Sequence, residues 1–227
     1  NEFKKDKPKN GFTVGIADDI TGTSLDYDKQ FSLEDQHLFR GLFFGLGADG
    51  TVSANKNTIK IIGDATGDHV QGYFVYDSKK SGSLTVSHLR FSNQPIRSTY
   101  LINSANFVAC HHFHYLEKYD ILKDVQQGAT FLLNAHIQNQ DLCGNLPKKI
   151  QEEIIEKQLR LYAINASKVA KETGMGSRIN SILQTCFFAI SNVIPKEEAV
   201  SYIKNAIHKT YSRKGEEVVQ KNFDAVD

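Results

Sequence analysis

A chain of 227 residues with 40% apolar and 23% charged residues is long enough to bury a sizeable core and too apolar to be disordered. Its net charge of +1, with 27 basic and 26 acidic residues interspersed, gives neither a nucleic-acid footprint nor a membrane-surface patch. No apolar run approaches the roughly 18 residues that cross a bilayer, and no signal peptide opens the chain. The cysteines, Cys110, Cys143 and Cys186, lack C-x-x-C spacing. A reducing, cytoplasmic setting is expected, with no disulfide framework, zinc site or iron–sulfur cluster in these residues. The first residue is Asn1 rather than Met, which suggests a processed or excised piece.

Residues 1–11 form a polar, lysine-rich opening segment, and residues 12–227 read as one α/β domain. Phe12 to Ile16 is a first strand, closed by Ala17-Asp18-Asp19-Ile20-Thr21-Gly22-Thr23-Ser24. Paired aspartates at a strand end can bind a metal or a sugar hydroxyl, and they equally well form turns. Ser32-Leu33-Glu34-Asp35 resembles a capping box and suggests a short helix. The organising stretch follows. Leu42-Phe43-Phe44 reads as a buried strand that feeds Gly45-Leu46-Gly47-Ala48-Asp49-Gly50, a G-x-G-x-x-G match. The period then becomes helical, with Val52, Ile59 and Ile62 on one face and Lys56 and Lys60 on another. In such a loop glycines admit positive φ and leave room for an anion at the positive end of the helix. Gly45, Gly47, Gly50 and Lys56 are therefore candidate phosphate-binding residues, although short glycine turns also serve packing.

Gly63 to Gly67 stops the helix, and Val70, Tyr73, Phe74 and Val75 make a second strand. It ends in Asp77-Ser78-Lys79-Lys80-Ser81-Gly82. In a doubly wound sheet this turn lies beside the first glycine loop at the carboxyl edge. A dehydrogenase would place a lone acid here to hold a ribose; two lysines flanked by hydroxyls suit a 2′- or 3′-phosphate instead. Leu84 to Phe91 alternates and predicts a strand with one exposed face, broken by Pro95. Asn106 to Cys110 is another buried run, followed by His111-His112-Phe113-His114. Cys110, His112 and His114 share one face of an extended chain, but i, i+2, i+4 ligands on one strand rarely close a tetrahedral site, so no metal is expected. Tyr115 to Val125 reads as a helix ended by Gly128. Thr130 to Asn134 reads as a strand. A helix begun by Pro147 has Ile150, Ile154 and Ile155 inward, and Leu161 to Ile164 is a further strand.

The last third is helical. Lys168 to Glu172 is stopped by Gly174-Met175-Gly176, and Ile179, Ile182, Leu183, Cys186, Phe187 and Ile190 form a core stripe. Arg178 and Asn180 stand at the start of that helix, where an arginine can meet an anion. Pro195 opens a helix with Glu197 and Glu198 in its first turn and Ala199, Ile203, Ala206 and Ile207 inward. A final helix carries Val219, Phe223 and Val226. The alternation predicts a three-layer α/β/α sandwich around a mostly parallel or mixed sheet, with a helical C-terminal third.

The strings GLGADGTVSANKNTIKIIGD, YFVYDSKKSGSLTVSHLRFS, IRSTYLI, FVACHHFHYLEKYDILK and VAKETGMGSRINSILQTCFFAIS resemble the third, gamma-type domain of pyruvate:ferredoxin (flavodoxin) oxidoreductase, from Gly11 to Asp227. The resemblance implies a segment of a large thiamine-diphosphate enzyme that decarboxylates pyruvate oxidatively and makes acetyl-CoA. Its electrons pass through [4Fe-4S] clusters to ferredoxin or flavodoxin. It also implies that this domain holds coenzyme A, with Lys79, Lys80 and Ser81 against the phosphates and with the Gly45–Gly50 loop, Arg178 and Asn180 as neighbours. Thiamine, Mg and cluster motifs belong to other domains and are not found in these residues, so no catalytic residue is assigned and the isolated chain is expected to be inactive. The expected partners are the enzyme's other domains, in the cytoplasm or in an organelle of anaerobic metabolism. Two other readings compete: a free-standing nicotinamide-dependent dehydrogenase domain, and a structural docking module whose glycine loop serves packing.

Overall fold

The computed structural model describes residues 2–16, 20–28, 31, 37–76, 83–137 and 139–227. By packing, the chain divides into two units, Asn1–Asp35 and Gln36–Asp227. In the first unit a 3-10 turn at Glu2–Lys4 precedes β1 (Thr13–Val14) and β2 (Ser24–Leu25), which pair in parallel with each other. The strand expected over 12–16 is thus two residues long and lies outside the main sheet. Asp18, Asp19 and the capping box at 32–35 lie outside the described residues.

The second unit is built on a six-stranded sheet of β3 (Phe39–Leu46), β4 (His69–Tyr76), β5 (Leu84–Ser92), β6 (Ala105–Cys110), β7 (Val125–Asn134) and β8 (Arg160–Ile164), in the order β4-β5-β3-β6-β7-β8. Strands β3, β6, β7 and β8 are parallel, and β5 is antiparallel to both β3 and β4. Because side chains alternate across the pleat, the apolar runs of the central strands feed two cores. Phe43, Leu89, Phe107 and Leu132 face one; Leu42, Phe44, Val108 and Leu133 face the other. The first core is covered by α1 (Thr51–Thr66), α5 (Ala166–Glu172), α6 (Asn180–Ser191), α7 (Lys196–Tyr211) and α8 (Glu216–Asp224). Within it the rings of Phe107 and Phe187 meet edge-to-face at 5.2 Å, and Phe43 and Phe187 at 5.4 Å. The second is covered by α2 (Tyr115–Lys118), α3 (Asn139–Asn145) and α4 (Lys148–Glu156). The α/β sandwich and helical last third are as expected. No helix of the described residues is long and apolar enough to cross a membrane.

Several local expectations differ. Strand β4 is not beside β3, because β5 folds back between them as the partner of both. It nevertheless runs in the same direction as β3, so Tyr76 ends at the edge where Leu46 ends. Strand β5 has no exposed face: Ser87, His88, Leu89 and Arg90 are all buried. The segment after β5 covers its polar side, with the Ile102 N–H donating to His88 Nδ1 (3.2 Å) and Arg90 donating to the Tyr100 carbonyl (2.9 Å). The helix expected over 115–125 is one turn, α2. Gly128 does not stop it but lies inside β7 at φ 72°, donating to the Lys157 carbonyl at 2.7 Å. Ile155 points outward, 75% exposed. Helix α3 was not expected from the sequence pattern.

Candidate functional site

The carboxyl ends of β3, β4 and β6 meet at one edge of the sheet, and the glycine loop sits there between β3 and α1. Each of its glycines makes room for another part of the protein. A Cβ on Gly45 would lie 2.5 Å from Thr51 Oγ1, one on Gly47 3.3 Å from the Ser83 carbonyl, and one on Gly50 2.7 Å from Asn180 Nδ2. Gly50 also needs its glycine for φ 92° at the start of α1. The space expected to admit a ligand at these positions is filled by Thr51, Ser83 and Asn180.

Asp49 closes the loop. Its carboxylate accepts from the Leu46 N–H (2.9 Å), the Thr51 N–H (2.7 Å) and His112 Nε2 (3.1 Å). Burial disfavours its charge, but the hydrogen bonds from His112, Thr51 and Leu46 outweigh burial and hold the carboxyl down at about 2. Beneath it runs a polar chain. The Asn180 amide donates to the Asp49 carbonyl, which turns its Oδ1 toward Thr51, whose hydroxyl donates to it at 3.3 Å. That uses the only hydroxyl proton, so His111 Nδ1–H donates to Thr51 Oγ1 at 2.9 Å. The imidazole is neutral, since burial pushes it down to about 4. Asn134 then donates to the His111 carbonyl (3.0 Å) and accepts from the Ala166 N–H (3.0 Å). Helices α1, α5 and α6 are thereby tied across the ends of β6 and β7.

Beside this framework lies a cleft of about 570 Å³, walled by the first turns of α1 and α6 and by the corner where α7 turns into α8. Such a volume lies within the range of small-molecule sites. The N–H groups of Ala48, Gly50, Val52 and Ser53 take no partner among the described residues, so the positive end of α1 stays available there. The far wall adds two cations on one ring. The Arg178 guanidinium lies 6.0 Å from the Tyr211 ring centre and the Lys214 ammonium 5.4 Å from it. The arrangement can hold an anion.

The structure therefore brings Gly50, Arg178 and Asn180 together, with Gly45 and Gly47 behind them. Lys56 is separated from the cleft, because its ammonium lies over the Phe74 ring at 5.3 Å on the β4 side of α1. Lys79, Lys80 and Ser81 lie outside the described residues. Their flanks do not: Tyr76 pairs with Thr85, and the Ser83 carbonyl accepts from the Gly47 N–H at 2.7 Å. Cys110 and His112 do not converge on a metal. The Cys110 thiol, pushed up to about 12 by burial, donates to the His112 carbonyl, while the His112 ring turns to Asp49. Sequence reasoning missed Asp49, Thr51, His111, Lys214, Tyr211 and Asn222. For Asp49 the available signal was an acid inside a presumed anion loop; for the others the contacts span the fold and leave no local pattern.

The sequence profile of the pyruvate ferredoxin/flavodoxin oxidoreductase family matches residues 41–227. The chain belongs to that family. Among its oxidoreductase relatives, the pyruvate-flavodoxin oxidoreductase of Trichormus variabilis is 61% identical over 220 residues, 97% of this chain and 18% of that protein. The pyruvate:ferredoxin oxidoreductase of Moorella thermoacetica is 53% identical over 97% of this chain and 19% of its own length. The chain thus spans about a fifth of these relatives. In fold, it matches the pyruvate oxidoreductase subunit PORC of Thermotoga maritima at a TM-score of 0.64 and 14% identity, over 84% of this chain and 94% of that one. The 2-oxoglutarate:ferredoxin oxidoreductase of Magnetococcus marinus, solved with 2-oxoglutarate, coenzyme A and succinyl-CoA bound, matches at 0.62 and 16% identity over 85% of this chain and 30% of that one.

Proposed function

We propose that this domain holds coenzyme A for a pyruvate:ferredoxin (flavodoxin) oxidoreductase, which converts pyruvate and coenzyme A to acetyl-CoA and CO2 and passes electrons to ferredoxin or flavodoxin. Thiamine diphosphate, Mg and [4Fe-4S] clusters belong to other segments of that enzyme, with which this domain packs in the cytoplasm or in an organelle of anaerobic metabolism. One observation carries the reading: the cleft at the carboxyl edge gathers N–H groups at the start of α1 that take no partner among the described residues with Arg178 and Lys214. Such a set suits a carrier bearing several phosphates. The coenzyme A-bound relative of the same fold supports it. Lys79, Lys80 and Ser81 are assigned to the same ligand by family resemblance.

The experiment is calorimetry on the full-length enzyme with coenzyme A and, as control, NADH. Coenzyme A binds and NADH does not, and Lys79→Ala with Lys80→Ala weakens coenzyme A by about 10-fold or more, as expected for lost charged hydrogen bonds. Unchanged affinity in that variant would refute the assignment of these lysines. A docking module is the second reading, favoured by the way protein atoms fill the space at Gly45, Gly47 and Gly50. It gains if wild-type enzyme takes up coenzyme A only at other domains.

A further inference from the structure

We propose that the outer edge of β4 is a docking site for one more strand, an extended and uncharged segment of the same full-length polypeptide lying outside this domain. The ladder decides which backbone groups would receive it. The Gly47 N–H donates to the Ser83 carbonyl at 2.7 Å, one step beyond the Leu46–Leu84 pair of β3 and β5. In an antiparallel pair the N–H and C=O of one residue point the same way, and successive residues alternate. Odd-numbered residues of β5 therefore turn to β3 and even-numbered ones to β4, where they meet His69, Gln71, Tyr73 and Val75. The N–H and C=O groups of Val70, Gly72, Phe74 and Tyr76 point away from the sheet. They take no partner among the described residues.

Edge strands are ordinarily kept short or blunted by lysine or proline, because such a row of groups pairs with any extended chain it meets. The opposite edge follows the rule, since β8 has five residues and opens on the exposed Arg160. Strand β4 does not: its eight residues, HVQGYFVY, include no proline, lysine, arginine or acid. Tyr73 and Tyr76 are 60% and 58% exposed, and they stand on opposite faces of the strand. They suit an incoming strand with β-branched or aromatic residues on both of its faces. The relatives argue for the occupant. In those of Trichormus variabilis and Moorella thermoacetica the matching region is 18% and 19% of one polypeptide. An uncharged edge has no field to steer a separate partner. A tether supplies what steering does not, holding an attached segment at an effective concentration of about millimolar, ahead of a second copy.

The inference rests on the reading that this domain packs with other segments of the enzyme, and not on coenzyme A. Amide hydrogen exchange on the full-length enzyme tests it. The amides of Val70, Gly72, Phe74 and Tyr76 exchange about 100-fold or more slowly than in an open peptide. Open-peptide rates at these positions overturn the proposal. Protection that disappears on dilution, as the mass in sedimentation halves, gives the edge to a second copy and overturns it too. A double Tyr73→Lys, Tyr76→Pro variant charges the edge and removes one outward donor. It speeds exchange at Val70, Gly72 and Phe74 by about 10-fold or more, while Phe43 and Phe44 stay as slow as in wild type. Unchanged protection in the variant overturns the proposal; if Phe43 and Phe44 also speed up, the domain has loosened and the wild-type rates decide alone. Proteolytic nicking separates the two readings. A nicked wild-type enzyme that releases this domain refutes packing itself, whereas one that retains it while β4 exchanges openly refutes the added strand alone.

Discussion

The two walls of the cleft use polar residues in opposite ways. On the α1 wall three polar side chains are spent on the protein: Asp49 on three donors, Thr51 on His111 and Asn180, and Gln184 on the Ala54 carbonyl and Thr58. On the α7–α8 wall Lys214, the Arg178 terminal nitrogens and Asn222 Oδ1 are unspent among the described residues. A glycine-rich motif can thus be framework, while unspent polar groups gather at a corner with no motif at all. Changes on the first wall should cost stability, and changes on the second should cost binding.

Acid breaks the first wall hardest. Burial lowers the pKa of His111 to about 4 in the folded protein, below the unfolded value of 6.5, so the unfolded chain binds the extra proton first. Stability is therefore full above pH 6.5 and declines as pH falls toward 4, by about 3 kcal/mol from this residue. Asp49 adds a further loss between about pH 4 and 2. Urea titrations of wild type and His111→Gln measure it; equal pH slopes would deny His111 this role. Next in size is Gly45→Ala. Its Cβ would meet Thr51 Oγ1 at 2.5 Å in a fully buried spot, for a cost of about 2–3 kcal/mol in chemical denaturation. Asn180→Ala leaves the Thr51 hydroxyl and the Asp49 carbonyl without their partner and costs about 1–3 kcal/mol by the same measurement. The smallest change comes from the opposite wall, where Lys214→Ala alters the melting free energy by less than about 0.5 kcal/mol. A large loss there would erase the contrast between the walls.

Sequence pattern revealed what is locally periodic. The core stripe of α6 from Ile179 to Ile190, the inward residues of α7 and the apolar runs of β3 and β6 announce themselves through spacing. Helix α1 already strains that method: besides Ile61 and Ile62, its buried residues are Thr51, Asn55 and Thr58, while Val52 and Ile59 are only half-buried. Polar residues sit inside because α1 packs on α6, where Gln184 meets Thr58 at 2.9 Å. Strand β5 reads as half-exposed because nothing in its alternation announces that the following segment will hydrogen-bond to His88 and Arg90. For Gly128 the usual sense of a glycine after a helical pattern was overridden by a strand irregularity bonded to Lys157. At the site, the loop and the start of α6 were each visible, but their contact was not, since no periodicity links them.

Asn180 fills the space above Gly50 and bonds to Asp49, its partner 131 positions earlier in the chain. During synthesis the amino-terminal strands emerge first. The turn after β3 must therefore wait, propped by nothing on that side, until α6 has left the ribosome. Chains cut short before α6 would carry the whole glycine signature and still lack one wall of the cleft, so what matures late in this domain is the part that its most recognisable string of letters promises first.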